Sequence, residues 1–70
     1  MHKYEVIIYW SEEDGVFIAE VPQLSGCLAH GDSPEAALAT VNEAIELWIA
    51  TARELGREIP EPKGRRLQLA

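Results

Sequence analysis

The chain contains one cysteine, Cys27, and a histidine, His30, that follows it by three residues. A thiol and an imidazole at close range are the parts of a nucleophilic site, which also needs a group to bind the developing oxyanion. Both residues fall in a short run that predicts a β-strand, and side chains three positions apart in a strand point to opposite faces. The spacing therefore argues against a catalytic pair and favours a small buried thiol in a tight turn.

Three consecutive acidic residues form the second group that could do chemistry. Carboxylates can bind divalent cations, but this run lacks the spacing of a calcium loop and has no second acidic cluster nearby in sequence. The pattern favours a solvated hairpin tip over a metal site, and an acidic loop that meets a basic partner is the intermediate option, which needs no metal. Aromatic residues stand beside it, where exposed rings suit a protein interface. We therefore expect a partner-binding site made of Tyr9, Trp10, Glu12, Glu13 and Asp14.

Other motifs of enzymes are missing from the sequence. It has no glycine-rich phosphate loop, no His-Glu zinc motif and no Ser-His-Asp arrangement. Trp48 could form an aromatic ligand site with Trp10, but its place in an apolar helix stripe favours core packing. The sequence assigns no catalytic, cofactor-binding or metal-binding residue. It indicates an interaction protein and gives no support for an enzyme.

Length and charge narrow the class of protein further. Seventy residues make one domain, residues 1–70, and a core of this size rarely supplies more than roughly 3–5 kcal/mol. One cysteine excludes an internal disulfide framework, so we expect support from a homodimer, a higher homo-oligomer or a permanent partner. Twelve acidic residues against six basic ones give a net charge of −6. This excess argues against direct nucleic-acid binding and favours a basic partner.

The sequence also bears on location. No hydrophobic run approaches the ~20 residues of a membrane span. Residues 1–4 enter a strand pattern at once, without the apolar stretch of a signal peptide. A single thiol suits a reducing compartment, so a cytoplasmic protein is expected.

Three strands are predicted in the first half of the chain. Segment 4–10 is rich in β-branched and aromatic residues and is apolar on both faces, so both faces should be at least partly covered. Segment 11–15 ends in Asp-Gly, a strong hairpin signal, and the returning strand 16–21 ends at Pro22. The run Cys27–His30, between Gly26 and Gly31, predicts a third short strand between two turns.

A helix start follows the third strand. Ser33 suits the N-cap and Pro34 the first helical position, while Glu35 places a negative charge at the positive end of the helix dipole. The helix should run to about Leu55, with Gly56 as its C′ residue. The predicted core stripe contains Leu38, Val41, Ile45, Trp48, Ala52 and Leu55, widened by Ile49. Leu47 points away from this stripe, either as a protein contact or as an isolated exposed leucine.

After the helix, segment 58–64 carries two prolines and cannot be helical. Leu67 and Leu69 then alternate with polar neighbours, which predicts a short fourth strand, with a frayed terminus as the alternative. The expected fold class is α+β, in the order β-β-β-α-β, with an antiparallel meander sheet packed on one face by a single long helix. The uncovered apolar sheet face, or the last strand, is expected to form the contact of a homodimer.

Four motifs in their order resemble the HicB-type antitoxin family. The family pattern is a hairpin with Asp-Gly, a Val-Pro-x-Leu-x-Gly-Cys turn, a Gly-Asp-Thr/Ser helix start and a Pro-x-Pro connector. The corresponding segments of this chain are Asp14-Gly15, Val21-Pro22-Gln23-Leu24-Ser25-Gly26-Cys27, Gly31-Asp32-Ser33 and Ile59-Pro60-Glu61-Pro62. The resemblance covers nearly the whole chain.

The resemblance implies a reduced ribonuclease H-like fold without its catalytic acids. It implies an antitoxin that neutralises a small basic mRNA-cleaving toxin of the HicA type by occluding its active site. Many members add a C-terminal DNA-binding segment, and this sequence ends at Ala70, so a short form without direct nucleic-acid binding is expected. The alternative is a stand-alone oligomeric scaffold or small-ligand-binding module without a toxin.

Overall fold

The structure, a computed structural model, describes residues 3–62. This part of the chain forms strands β1 (Ile7–Ser11), β2 (Val16–Glu20) and β3 (Leu28–Gly31), followed by helix α1 (Pro34–Glu54). The strands make an antiparallel sheet in the order β1-β2-β3. The predicted α+β class and the antiparallel meander are confirmed, and the fourth strand predicted around Leu67 and Leu69 lies outside the described residues.

A tight loop of residues 12–15 joins β1 to β2. Gly15 has φ +66°, a conformation that glycine adopts without steric cost, and its N–H donates to the Ser11 carbonyl at 2.7 Å. The Ser11 hydroxyl accepts from the Asp14 N–H at 3.3 Å. The hairpin is therefore confirmed, but β1 begins at Ile7, because the chain bends at Tyr4 and places that ring in the core.

The segment between β2 and β3 closes on itself through two successive turns. The Leu24 N–H donates to the Val21 carbonyl at 3.1 Å, and the Cys27 N–H donates to the Leu24 carbonyl at 2.9 Å. The Val21 N–H then donates to the Cys27 carbonyl at 3.0 Å, which closes the loop. The Leu24 side chain at its centre is fully buried, so this loop fills one end of the core.

Helix α1 begins and ends where the capping residues predict. The Ser33 hydroxyl accepts from the Ala36 N–H at 3.0 Å. At the other end Gly56 has φ +69°, and the Arg57 N–H donates to the Ala52 carbonyl at 2.8 Å. This is the Schellman arrangement of a helix C-terminus.

The buried face of α1 differs from the predicted stripe at both ends. Leu38 and Leu55 are 38% and 65% exposed, so their assignment to the core was wrong. Leu55 is the C-cap residue, where the chain leaves the helix, and Ala37 takes the inward position near the N-terminus. The helical residues that are buried are Ala37, Val41, Ile45 and Ala52, with Ala44, Trp48 and Ile49 partly buried.

The close contact between β3 and the first turn of α1 requires a glycine at position 31. A Cβ at Gly31 would lie 2.5 Å from the Ala37 nitrogen, so the glycine lets the first helical turn contact β3 directly. Gly31 is the last residue of β3, and its φ is not positive. This glycine is therefore required by close packing of the backbone.

Helix α1 lies mainly over β3 and β2 and only marginally over β1. The sheet therefore has a helix side, whose buried residues include Ala19 and Ala29, and an open face. The cover that was predicted for β1 is only partial, since its four apolar side chains remain exposed on both faces. Their exposed fractions are 44% for Ile7, 36% for Ile8, 45% for Tyr9 and 48% for Trp10.

Candidate functional site

The five residues predicted to bind a partner lie at one end of the β1–β2 hairpin, and all of them are exposed. We call them the hairpin-end site: Tyr9, Trp10, Glu12, Glu13 and Asp14. Tyr9 and Trp10 lie near the end of β1, next to the acidic loop. Because neighbouring strand residues point to opposite faces, Tyr9 lies on the open face and Trp10 on the helix side.

Trp10 is held in place although it is exposed. Its ring packs edge-to-face against Phe17, its cross-strand neighbour, with ring centroids 5.0 Å apart and an interplanar angle of 69°. Such pairs contribute about 0.5–1.5 kcal/mol beyond their burial. Helix α1 reaches little of β1, so a large, fixed aromatic surface remains beside the acidic loop.

Tyr9 lies on the open face within an apolar strip. Its cross-strand neighbour is Ile18, which is only 8% exposed, and His30 lies beyond Ile18 on β3. In the next row of the same face, Ile7 and Leu28 are 44% and 52% exposed and lie on either side of Glu20. The open face is therefore mainly apolar, as the sequence predicts.

The acidic loop is exposed and concentrates negative charge. Asp14 accepts a hydrogen bond from the Ser11 hydroxyl at 3.3 Å, which orients its carboxylate, while Glu12 and Glu13 are exposed in the same loop. Within residues 3–62 no three His, Cys, Asp or Glu side chains gather in a way that could hold a metal ion. The loop suits recognition of a positively charged surface.

Cys27 and His30 are separated as their spacing predicts. Cys27 is 5% exposed and belongs to the core, whereas His30 lies exposed on the open face. Burial raises the pKa of the Cys27 thiol, because a thiolate loses hydration there. The thiol is thus kept in its less nucleophilic, protonated form.

The structure also has a groove between β3 and α1, which the sequence motifs do not predict. A mainly apolar cavity of about 300 Å³ is lined by Leu28, Leu47, Trp48 and Arg57, among others. The Trp48 Nε1–H donates to the Ser25 carbonyl at 2.9 Å, and the Arg57 guanidinium lies 5.9 Å from the Trp48 ring centroid. The exposed side chain of Leu47 in the helix pattern was the signal for this groove.

The Pro-x-Pro connector has a structural role. The Tyr4 hydroxyl donates to the Pro60 carbonyl, and the Gln23 Nε2–H donates to the Glu61 carbonyl at 2.8 Å. These bonds fix the connector against the segment that precedes β1 and the loop after β2. The connector and the Val21–Cys27 loop therefore stabilise the same end of the sheet.

The described residues form a small α+β domain in which two exposed aromatic rings lie beside an exposed acidic loop. Helix α1, the helix present in residues 3–62, is not long and apolar enough to cross a membrane. The model of the HicB-like antitoxin of bacterial toxin–antitoxin systems matches residues 4–67. The chain belongs to this family.

Curated relatives support the family assignment. The chain is 39% identical over 57 residues to the UPF0150 protein ssl0259 of Synechocystis sp. The matched region covers 81% of this chain and 77% of that protein. It is 38% identical over 58 residues to the UPF0150 protein Ta0767 of Thermoplasma acidophilum, covering 83% of each. A UPF0150 protein of Archaeoglobus fulgidus is 32% identical over 53 residues, which is 76% of this chain and 75% of that protein. No solved structure matches the chain significantly.

Proposed function

We propose that this chain is an antitoxin that binds and neutralises a small basic mRNA-cleaving toxin of the HicA type. The observation that carries the proposal is the family match over residues 4–67. The family assignment suggests a non-enzymatic role, so the protein acts by binding. Since its target would cleave mRNA, we place this activity in the cytoplasm.

The hairpin-end site is the surface that we assign to the toxin. An enzyme that cleaves RNA needs positive charge to hold phosphates. Three carboxylates on one exposed loop, Glu12, Glu13 and Asp14, present negative charge that could bind those basic groups. They compete with RNA for the same basic groups, which accounts for inhibition by occlusion.

The two aromatic rings supply the apolar part of the contact. Trp10 is fixed against Phe17 and is 48% exposed, so little side-chain entropy is lost when a partner covers it. Large aromatic residues contribute much of the binding energy in protein interfaces. The charged loop guides approach, and the rings slow dissociation.

The test is first to look for a small basic protein encoded beside this gene and then to measure its binding to this chain and the inhibition of its RNA cleavage. A triple variant, Glu12→Gln, Glu13→Gln and Asp14→Asn, removes the loop charge and keeps the hairpin, because Asn-Gly also favours this turn. We expect its affinity for the toxin to fall at least tenfold, with a weaker dependence on salt. Protection of RNA from cleavage should fall in parallel.

A matched control removes the same charge elsewhere. Glu43, Glu54 and Glu58 are exposed on or after α1, and changing all three to Gln should alter affinity by less than threefold. Equal weakening by the two triple variants would show that only net charge matters. Full RNA protection by the loop variant would place the toxin on another surface.

The second candidate function is that of a small-ligand-binding module without a toxin. The cavity of about 300 Å³ between β3 and α1 favours it, since ligand sites are concave and mostly apolar. If the neighbouring basic protein neither binds the chain nor cleaves RNA, and a small apolar ligand raises the melting temperature, this second function replaces the first.

A further inference from the structure

We propose that the groove between β3 and α1 binds a small carboxylate-bearing molecule, with its apolar body between Leu28 and Leu47 and its carboxylate at Arg57. The inference goes beyond the antitoxin proposal and does not depend on a toxin partner. The groove is lined by the start of β3, the second half of α1 and residues that adjoin these elements. None of the residues that the structure shows lining it belongs to the hairpin-end site, so the two proposals are tested separately.

Two exposed leucines form the apolar walls of the groove. Leu28 on β3 is 52% exposed and Leu47 on α1 is 69% exposed, and both line the same cavity. The lining also contains Cys27 and Ala52, which are buried. Apolar residues scattered singly over a surface need no explanation, but these two leucines belong to different elements and border one concave space. An apolar ligand in that space would remove both leucines from water.

The Trp48 ring gives the groove a fixed wall. Trp48 lines the cavity and packs against the hydrophobic core. Its Nε1–H donates to the Ser25 carbonyl at 2.9 Å, which satisfies the one polar group of the indole. The ring therefore offers an apolar surface whose orientation is set before a ligand binds. Preorganisation of this kind reduces the entropy that is lost on binding.

Charge selects an anionic ligand. Of the described residues that line the cavity, Arg57 alone carries a charge, and its guanidinium lies 5.9 Å from the Trp48 ring centroid. The Cys27 thiol remains protonated at neutral pH, because burial raises its pKa. A guanidinium that packs on an aromatic ring can still bind a carboxylate through two parallel hydrogen bonds. The groove thus combines an apolar space with a cationic group.

A neighbouring hollow sets the orientation of the ligand. This hollow shares Leu28, Ala44 and Leu47 with the groove, and its lining also includes Glu43. The Glu43 carboxylate would repel an anionic group placed at this end. The carboxylate of the ligand is therefore expected at the Arg57 end of the groove.

The size of the cavity indicates a small molecule as the occupant. Its volume of about 300 Å³ is at the lower end of the ~300–1,000 Å³ that is typical of small-molecule sites. One aromatic ring with a short carboxylate chain matches the apolar walls, the volume and the cation. Phenylbutyrate has this chemistry and is the probe that we choose. Phenylbutyramide is its neutral counterpart of nearly the same shape, and phenylbutylamine is its cationic counterpart.

Titration of the full-length chain, followed by two-dimensional proton–nitrogen NMR, tests the proposal. Phenylbutyrate should shift the Trp48 Nε1–H signal in a saturable way. The Trp10 Nε1–H signal in the same spectrum is an internal control that should not move, because Trp10 lies in the hairpin-end site and does not line the groove. Phenylbutyramide and phenylbutylamine should bind at least fivefold more weakly, since they lack the charge-assisted pair with Arg57.

Two charge-matched variants separate the groove from the effect of net charge. Arg57→Gln should weaken phenylbutyrate binding at least fivefold and change phenylbutyramide binding less than twofold. Arg53→Gln removes the same charge from an exposed position in the last turn of α1 that does not line the cavity. It should change the binding of either probe less than twofold. The NMR spectra also verify that both variants fold.

Three outcomes would overturn the proposal. The first is the lack of a saturable shift of the Trp48 signal at phenylbutyrate concentrations up to about 10 mM, as expected if residues 63–70 of the same chain cover the groove. The second is equal affinity for the three probes, which would indicate apolar binding without selection by charge. The third is equal weakening by Arg57→Gln and Arg53→Gln, which would attribute the effect to net charge.

Discussion

Within residues 3–62, strands β1 and β3 are the two edges of one sheet, yet helix α1 lies against β3 and contacts β1 only marginally. The reason is geometric. A helix with its side chains is about 10 Å wide, and neighbouring strands are about 4.8 Å apart. One helix therefore covers about two strands, and in the part of the chain that the structure describes the third strand, β1, receives little cover from it.

The motifs that direct folding lie on the side of the sheet that α1 covers, and the proposed binding surface lies on β1, which α1 barely contacts. The Val21–Cys27 loop, Gly31 and Ser33 all serve the covered side, where they close the core and start the helix. The residues that we propose to contact other proteins lie on β1 and its loop. The motifs that reveal the family are thus mainly requirements of the fold.

The largest expected effect is on the free energy of unfolding. It is seen by truncating one side chain in the covered region and one on β1. Leu24 is fully buried in the covered region, and Leu24→Ala should lower the free energy of unfolding by about 2–5 kcal/mol. Ile7 on β1 is 44% exposed, and Ile7→Ala should cost about 1 kcal/mol at low protein concentration. Urea denaturation measures both values. Equal losses for the two variants at low concentration would contradict the contrast between the two sides.

The next effect concerns backbone packing. Gly31→Ala would place a Cβ 2.5 Å from the Ala37 nitrogen, and relief requires α1 to move away from β3, at a cost of about 1–3 kcal/mol. Gly15, in the hairpin loop, has open space around it. Gly15→Asn should therefore cost less than about 1 kcal/mol, because asparagine tolerates a positive φ. A Gly31→Ala variant as stable as wild type in thermal denaturation would show that the contact between helix and strand is loose.

The smallest effect follows from the buried thiol on the covered side. Burial raises the pKa of Cys27 in the folded chain above its unfolded value. The folded state therefore holds the proton more tightly, and the stabilisation is complete below the unfolded pKa of about 8.5. Stability should fall as pH rises from there through the folded pKa.

Urea denaturation between pH 7 and pH 10 measures this loss, with Cys27→Ala as the control that lacks the titrating group. The wild-type curve should fall more steeply than the control. Parallel curves would indicate that the thiol is open to solvent, and so would reaction of the native thiol with a disulfide reagent as fast as that of the unfolded chain.

Much of the fold follows from local patterns in the sequence. Asp14-Gly15 identifies the hairpin, and Ser33 and Gly56 set the ends of the helix, because turns and caps depend on a few neighbouring residues. The errors concern packing. Leu38 fits a helical stripe, yet Ala37 is buried in its place because Gly31 brings the two backbones together.

The sequence indicates which residues belong to the candidate site, but it does not predict how exposed their side chains are or which neighbours they contact. Alternation in β1 places Tyr9 and Trp10 on opposite faces whatever the tertiary structure. Their exposure depends on where the helix lies, and an apolar strand is also typical of a fully buried strand. The contact of Trp10 with Phe17 depends on the pairing register of β1 and β2.

The sequence by itself determined the order of the elements, the hairpin, the helix caps and the family, because each depends on local chemistry or on motifs in a fixed order. Only the tertiary structure decided which apolar residues are covered. That outcome depends on the width of one helix, the close contact at Gly31 and the bonds from Tyr4 and Gln23 to the connector. These contacts join residues far apart in the chain, which periodicity and propensity do not describe.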